Sequence, residues 1–492
     1  MPKFLAFDIG TSAGRVMLGS LSVEGLALEI LHRFPNRPVP VRGTLYWDIL
    51  YLWHEVLFGL RQWRNRGEPD LDGIGLDTWG VDFALLDESG ALLDNPVHNR
   101  DARTDGMMER VFQKVPREEV YARTGIQFMQ VNTLYQLYAM VLADAPALRH
   151  AATFLTTADV LNYWLTGRQV VEFTSATCTQ FYDPTTGEWA RDLLARLDIP
   201  VAMLPEVVPP GTVLGPLNLS VSELADLSPI PVIAVATHDT ASAVAAVPAE
   251  TQPFAYISSG TWSLMGAEVR SPVITAESLR YNFTNEGGVN GTYRLLKNIL
   301  GMWLIQACQD VWAGEGQTFT FSELVDMAAA APPLGPVIDP HPNSPDFRTA
   351  ENMPARIRAF CARTGQPVPQ DEGRLLRCVF ESLALKYRQT LEQLEIVLGH
   401  TVEVIHIVGG GARNELLCQM TAEATNRLVI AGPSEATTMG NLAVQAIATG
   451  HLASLEEARA LIRRSSPLKR YEPTLSRGWD DAYARFVDIA QV

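Results

Sequence analysis

Two short segments 250 residues apart are built alike, and this repetition restricts the fold more than any other feature of the chain. Residues Phe4 to Phe7 are apolar, Asp8-Ile9-Gly10-Thr11-Ser12-Ala13-Gly14-Arg15 follows, and Val16, Met17 and Leu18 resume the apolar run. The pattern predicts strand, tight glycine turn, strand. The same figure returns in FAYISSGTWSLMG from Phe254, with Gly260-Thr261 where the first copy has Gly10-Thr11. A strand-turn-strand element opening each half predicts two related α/β domains, residues 1–245 and 246–492, each offering one glycine turn to a shared cleft. The competing reading is chance similarity within a short window.

Composition narrows the partners. The chain has 492 residues, 47% of them hydrophobic and 19% charged, enough apolar material for large cores and too much for disorder. A net charge of −16 opposes nucleic-acid backbones and anionic lipid, so neither nucleic acid nor membrane is an expected partner. The opening MPKFLAFDIG brings in Asp8 too early for a secretory signal, which makes the cytoplasm the expected compartment. Five cysteines, Cys178, Cys308, Cys361, Cys378 and Cys418, form no CxxC pair, which argues against a zinc cage. Cys361 and Cys378 flank a Gly/Pro segment and could approach one another, but two buried thiols are the favoured reading.

Only five basic residues are lysine: Lys3, Lys114, Lys297, Lys386 and Lys469. None follows glycine or precedes Ser or Thr, so a Walker A loop is excluded, and the lysine-and-DFG set of protein kinases is missing too. Any ATP must then be held by backbone amides, hydroxyls and a carboxylate-bound metal. Gly10-Thr11-Ser12-Ala13-Gly14 also fits the G-x-S-x-G nucleophile elbow, but Ser12 follows the first strand and precedes strand-like residues, whereas an elbow leads into a helix.

Elsewhere, residues 73–86 (GIGLDTWGVDFALL) predict a strand pair, with Asp77 and Asp82 flanking a Trp-Gly turn. The spacing over 133–165 predicts helix. Residues 231–236 form a buried-strand run that ends at Thr237-His238-Asp239-Thr240, with helix from Ala241. Residues 248–253 are the expected linker. Six prolines within 332–345 predict a surface loop, a candidate lid. Apolar spacing over 371–398, capped by Asp371, predicts the longest helix. Residues 405–408 lead into Gly409-Gly410-Gly411 and then helix.

Asp8 beside Gly10-Thr11 suits a phosphate chain lying on the turn: glycine admits the anion, Thr11 and Ser12 add donors, Arg15 adds charge, and Asp8 can hold magnesium. Asp239, where a buried strand gives way to a helix, is the strongest candidate general base, with helix capping as the bland alternative. The helix dipole is expected to lower its pKa. His238 is a candidate polyol ligand or a structural histidine. Gly409-Gly410-Gly411 lacks dinucleotide spacing but could admit a flat adenosine against bare backbone. Asn298 and Gln306, in LKNILGMWLIQ, are polar residues of an otherwise apolar helix that could face the cleft. Trp79 and Trp262 are expected to be packing residues.

Taken in order, DIGTSAGR from Asp8, GLDTWGVDF from Gly75, TGIQFMQVNTLYQL from Thr124, ATHDTASAV from Ala236, SSGTWSLMG from Ser258, NFTNEGG from Asn282, LLKNILGMWLIQ from Leu295 and VGGGARN from Val408 resemble the FGGY carbohydrate kinases of the actin, Hsp70 and hexokinase superfamily. The resemblance spans nearly the whole chain. It implies two ribonuclease H-like α/β domains flanking a catalytic cleft, with sugar binding, the first phosphate turn and the base in 1–245, and the second phosphate turn and adenosine site in 246–492. It further implies ATP and Mg2+, with Thr11, Ser12, Ala13, Gly14, Arg15 and Thr261 on the phosphates and Gln306 and Gly410 on the nucleotide. Gly80, His238, Asp239, Thr240 and Asn298 would contact sugar, Asp239 would be the catalytic base, and Asp8 would hold the metal. The implied reaction is phosphorylation of the C1 hydroxyl of a small-molecule sugar, L-rhamnulose, by a monomer or small homo-oligomer. The alternatives are L-fuculose, xylulose or glycerol as acceptor, or remotely an actin- or chaperone-like ATPase. Thr11-Ser12-Ala13 departs from the Ala-Ser-Ser frequent in the nearest relatives, though the broader family accepts Thr there.

Overall fold

The computed structural model describes all residues except 68–70, 251–252, 348, 350, 475–477 and 491–492. The expected linker at 248–253 therefore lies partly outside the described residues. The chain forms two compact units. Unit 1 comprises Met1–Ala246, Glu268–Leu295 and Ala436–Ser465; unit 2 comprises Val247–Ala267, Leu296–Glu435 and Ser466–Val492.

Unit 1 is organised by a six-stranded sheet in the order Thr212–Pro216, Pro231–Ala234, Gly73–Thr78, Lys3–Ile9, Ala13–Leu21, Leu26–Pro35. Lys3–Ile9 and Ala13–Leu21 form the antiparallel hairpin expected around the glycine turn, closed by Gly10 N–H donating to Ala13 O at 3.0 Å. On its other side Lys3–Ile9 runs parallel to Gly73–Thr78, which in turn runs parallel to Pro231–Ala234. Every residue of Lys3–Ile9 beyond Lys3, and all of Gly73–Thr78, is buried, as befits central strands covered on both faces.

The sheet is closed by a helix from late in the sequence. Ala436–Ala448 lays Leu442 on Gly19, and Gln445 Nε2 donates to Leu5 O at 2.9 Å. The same helix packs on Asp239–Ala245, sharing a cluster with Val235, Ala241, Ala245 and Val444. Their closest approach is at Gly440, where a Cβ would stand 1.7 Å from Ser242 O.

Unit 2 repeats the plan. Ala255–Ser259 and Trp262–Val269 form a hairpin, and Ala255–Ser259 runs parallel to Val404–Val408, which runs parallel to Leu428–Ala431. The expected long helix is Glu372–Leu398, whose N-terminus is capped by Asp371 accepting from Arg374 N–H at 2.8 Å and whose C-terminus ends on Gly399 at φ +75°. It is the longest among the described residues.

Four expectations need correction, the pairing within 73–86 among them. Residues 133–165 are not one helical stretch: Thr133–Leu142 stops before Asp144 (φ +47°), and Thr153–Thr156 is a strand paired with Phe83–Leu86. Phe83–Leu86 thus takes a distant partner, and its separation from Gly73–Thr78 follows from Val81 at φ +70°. LKNILGMWLIQ is also divided, with Asn298 on the strand Tyr293–Leu300 and Gln306 on the helix Trp303–Gly314. Gly301 forms the break, and its backbone lies so close to Trp262 and Ser263 that a Cβ would be 2.6 Å from Trp262 C. Finally, 332–345 is irregular as expected but is no free lid. Val337 and Ile338 are fully buried, and the Leu334, Val337 and Ile338 amides donate to Glu381, Gln366 and Ser382.

Gly440→Ala should destabilise the protein by about 2 kcal/mol or more, because the obstructing atom belongs to backbone and cannot rotate aside. Thermal unfolding provides the check, and an unchanged midpoint would show that the two helices can separate freely.

Candidate active site

Three parallel neighbours of unit 1 end together. Asp8 is the penultimate residue of Lys3–Ile9, Asp77 that of Gly73–Thr78, and His238-Asp239 lie just beyond Pro231–Ala234. The carboxyl ends of parallel strands are where α/β sheets receive ligands. Asp8 and Asp77 are register partners on adjacent strands, 6% and 0% exposed. Two buried carboxylates side by side repel, and the surroundings answer that charge. Arg15 Nε and Nη2 donate to Asp8 Oδ2 at 3.1 and 2.9 Å, and Thr438 Oγ1 donates to the same oxygen at 3.1 Å. Asn441 Nδ2 donates to Asp77 Oδ2 at 2.5 Å. Asp77 Oδ1 is buried and has no hydrogen-bond partner. Burial, then the charge of Asp8, pushes the Asp77 carboxyl well above the usual range, while Asn441 opposes the rise. Paired acidic oxygens, one of them orphaned, fit a small hard cation such as Mg2+.

Asp239 is the first residue of the helix Asp239–Ala245. Thr240 donates twice to its Oδ1, from N–H at 2.6 Å and from Oγ1 at 3.2 Å. The expected lowering of its pKa is not what the site produces. Burial raises the carboxyl, His238 opposes this, and Asp8 adds to it, so the electrostatics of the assembled site outweigh a seven-residue helix. The side chain keeps 32% of its exposure and remains reachable. His238 Nε2 lies 3.6 Å from Asp239 Oδ1, and a Cβ on Gly80 would come within 3.3 Å of Nε2. Gly80, His238, Asp239 and Thr240 are therefore brought together.

The loop carrying them is fixed from behind. Thr78 N–H donates to Thr237 O at 2.9 Å, extending the parallel pairing to the site. Buried Glu172 accepts from Thr237 N–H at 3.0 Å, Thr237 Oγ1 at 2.7 Å and Thr174 N–H at 2.9 Å. The first turn projects outward, with Thr11 half-buried and Ser12 and Ala13 exposed, while Gly14 is buried against Phe34.

In unit 2, Gly260 and Thr261 occupy the hairpin turn, where Gly260 N–H donates to Trp262 O at 2.8 Å. Their carbonyls accept from Met302 and Trp303 N–H at 3.1 and 2.9 Å, which seats the helix bearing Gln306 directly on the turn. Gly409-Gly410-Gly411 follows the neighbouring parallel strand and lies against Ser259, with Gly410 exposed to open space. Thr261 and Gly410 thus sit at the ends of adjacent strands. Asn298 is nearly buried, 9% exposed.

Sequence reasoning left out Asp77, Thr438 and Asn441. A signal existed for the last two: Thr438, Asn441 and Gln445 recur at three- and four-residue spacing on an otherwise apolar helix. Trp79 is a packing residue as expected, its ring 4.3 Å from that of Trp47, and both indoles donate to buried Asp82. All five cysteines are buried free thiols, with Cys361 and Cys378 close enough to hydrogen-bond. No helix among the described residues is long and apolar enough to cross a membrane.

A doubled sheet plan, with acidic groups at the strand ends of unit 1, is the frame in which the family match falls, and that match makes the chain a small-molecule phosphotransferase. Residues 3–246 match the N-terminal domain and residues 255–449 the C-terminal domain of the FGGY family of carbohydrate kinases, and the chain belongs to that family. It is 46% identical over 484 residues to a rhamnulokinase of Bacteroides thetaiotaomicron, covering 98% of each chain. A rhamnulokinase of Oceanobacillus iheyensis is 41% identical over 474 residues, 96% of this chain and 99% of its own. Among solved structures, ligand-bound xylulose kinase from Lactobacillus acidophilus shares the fold with a TM-score of 0.79 at 16% identity, over 100% of this chain and 97% of that one. ATP is the substrate common to sugar kinases of this family.

A raised carboxyl pKa means that folded Asp239 holds a proton more tightly than the unfolded chain does, so its ionisation near neutral pH costs stability that returns as pH falls through the folded value. Asp239→Asn should therefore melt no lower than wild type near neutral pH, with any advantage shrinking in mild acid. Calorimetric scans at several pH values decide, and a marked loss at neutral pH would contradict the sign.

Proposed function

We propose that this chain transfers the γ-phosphoryl group of ATP to the C1 hydroxyl of L-rhamnulose, giving L-rhamnulose 1-phosphate and ADP. The observation that carries the substrate is the full-length match, at 46% and 41% identity, to two proteins named rhamnulokinase. The likenesses to a xylulose kinase and a glycerol kinase, each at 16% identity, speak for the fold alone. We place the enzyme in the cytoplasm, consistent with five buried cysteines joined by no disulfide.

Asp239 is the general base. Thr240 occupies its Oδ1, so the hydroxyl proton goes to Oδ2, and the raised pKa makes it a better proton acceptor than an ordinary surface carboxylate. Gly80, His238, Thr240 and Asn298 orient the sugar. Thr11, Ser12, Ala13, Gly14, Arg15 and Thr261 contact the phosphates through amides and hydroxyls, while Gln306 and the bare backbone at Gly410 take the rest of the nucleotide. The first phosphate turn, the base and the sugar contacts other than Asn298 thus belong to residues 1–245, and the second turn, Asn298 and the adenosine contacts to 246–492. Asp8 and Asp77 would hold Mg2+, which when bound supplies charge neutralisation for in-line phosphoryl transfer. Arg15, tied to Asp8, keeps a fixed positive charge beside the turn.

Asp239→Asn should lower kcat by about 10² to 10⁴ while the fold is kept. The assay is coupled ADP release with L-rhamnulose, L-fuculose, xylulose and glycerol as acceptors. L-rhamnulose should give the highest kcat/KM; a preference for another acceptor would overturn the substrate, and near-normal turnover in the variant would remove Asp239 from its role.

A further inference from the structure

Behind His238, on the side away from Asp239, lies a closed polar cluster that the chemistry above does not use. Cys178, His238 and Glu286 present one ligand-type atom each within 4.8 Å of one another, all three residues buried. Such a set could suit a cation, but a cation is already there in the form of Arg294. Its side chain is wholly buried, and Nη2 lies 3.1 Å from Glu286 Oε2 and 3.1 Å from His238 Nδ1. Arg294 Nε donates to Gly287 O at 2.7 Å, which fixes the plane of the guanidinium. Glu286 Oε2 lies 3.4 Å from His238 Nδ1.

The proton inventory selects one state of the ring. Arginine can only donate, so a ring nitrogen that bonds Arg294 Nη2 must offer its lone pair. The Cys178 thiol lies 3.1 Å from both Nδ1 and Thr174 O, and whether its single hydrogen goes to the carbonyl or to the ring, Nδ1 can still serve as an acceptor. With Nδ1 an acceptor, a neutral ring must carry its hydrogen on Nε2, the nitrogen beside Gly80 and 3.6 Å from Asp239 Oδ1.

We propose that Arg294, held by Glu286, is a positioning residue that locks His238 as the Nε2–H tautomer, a donor aimed at the sugar oxygen next to the reacting hydroxyl. In a ketose that oxygen is on C2, and in the open-chain form it is a carbonyl with only lone pairs to offer, so it needs a donor. The lock thereby favours an acceptor oxygen beside the phosphorylated carbon. This rests on the reading that His238 contacts a ketose.

The test uses full-length protein labelled with 15N in its histidine rings, with the His238 signals assigned from His238→Gln, and compares wild type, Arg294→Met and Arg294→Lys. In wild type, long-range proton-nitrogen correlations should show a protonated Nε2 and a bare Nδ1 at neutral pH. Arg294→Met should release the tautomer and raise KM for L-rhamnulose roughly tenfold to hundredfold, the value of one hydrogen bond in a desolvated site, with KM for ATP little changed. Arg294→Lys, which keeps a donor, should restore most of both. A wild-type ring protonated at Nδ1 or on both nitrogens overturns the proposal, and so does Arg294→Met with unchanged tautomer and unchanged sugar KM. If Arg294→Met does not fold, the wild-type tautomer and Arg294→Lys still decide. If no ketose is phosphorylated, the reading of the substrate fails, while the ring nitrogens still report on the lock.

Discussion

The structure of unit 1 is arranged around an unfavourable contact, two carboxyl groups buried as register partners on adjacent parallel strands. Burying one acidic group already costs several kcal/mol unless it is paired or protonated, and burying two together makes each harder to ionise. Arg15, Thr438 and Asn441 meet that cost from two directions: one from the hairpin that carries Asp8, and two from a helix 430 residues further along. The long return of the chain into unit 1 is therefore bound up with the chemistry as much as with the core. Without Ala436–Ala448 the acidic strand ends would lose hydroxyl and amide donors as well as the apolar cover provided by Leu442 and Val444.

From this acidic edge the other parts take their places by strand order. Gly73–Thr78 lies between the strand of Asp8 and the strand leading to Asp239, so that three carboxyl groups feel one another electrostatically while only Asp239 keeps a solvent-reachable side chain. The two roles proposed for acids separate along this line. The buried pair, with Asp77 Oδ1 left unpartnered, suits a cation, and the partly exposed carboxyl of Asp239 suits proton transfer. Behind the site, Glu172 holds Thr237 and the Glu286–Arg294 pair holds His238, giving a short loop the rigidity that a substrate contact requires.

What the sequence disclosed and what it hid divide along the range of the interactions. Gly10-Thr11 and Gly260-Thr261 were legible because strand, turn and strand are set by neighbouring residues, and the same holds for Asp371 capping the long helix. The break at Gly301 was not, because what demands it is the backbone of Trp262 and Ser263, nearly forty residues away in sequence. The pKa of Asp239 was judged from its own helix and had the wrong sign, since burial and Asp8 enter only through the assembled sheet. Asp77 was visible as a residue but not as the partner of Asp8, because nothing local states that their two strands are adjacent.

The proposed chemistry depends on Asp8 and Asp77 holding a divalent cation that serves the nucleotide. Calorimetric titration of ATP into the protein, with Mg2+ and with the metal chelated, measured on wild type and on Asp8→Asn, tests this most directly. The account predicts that Mg2+ tightens binding to wild type and that most of this increment disappears in the variant. An increment of equal size in both proteins would contradict it.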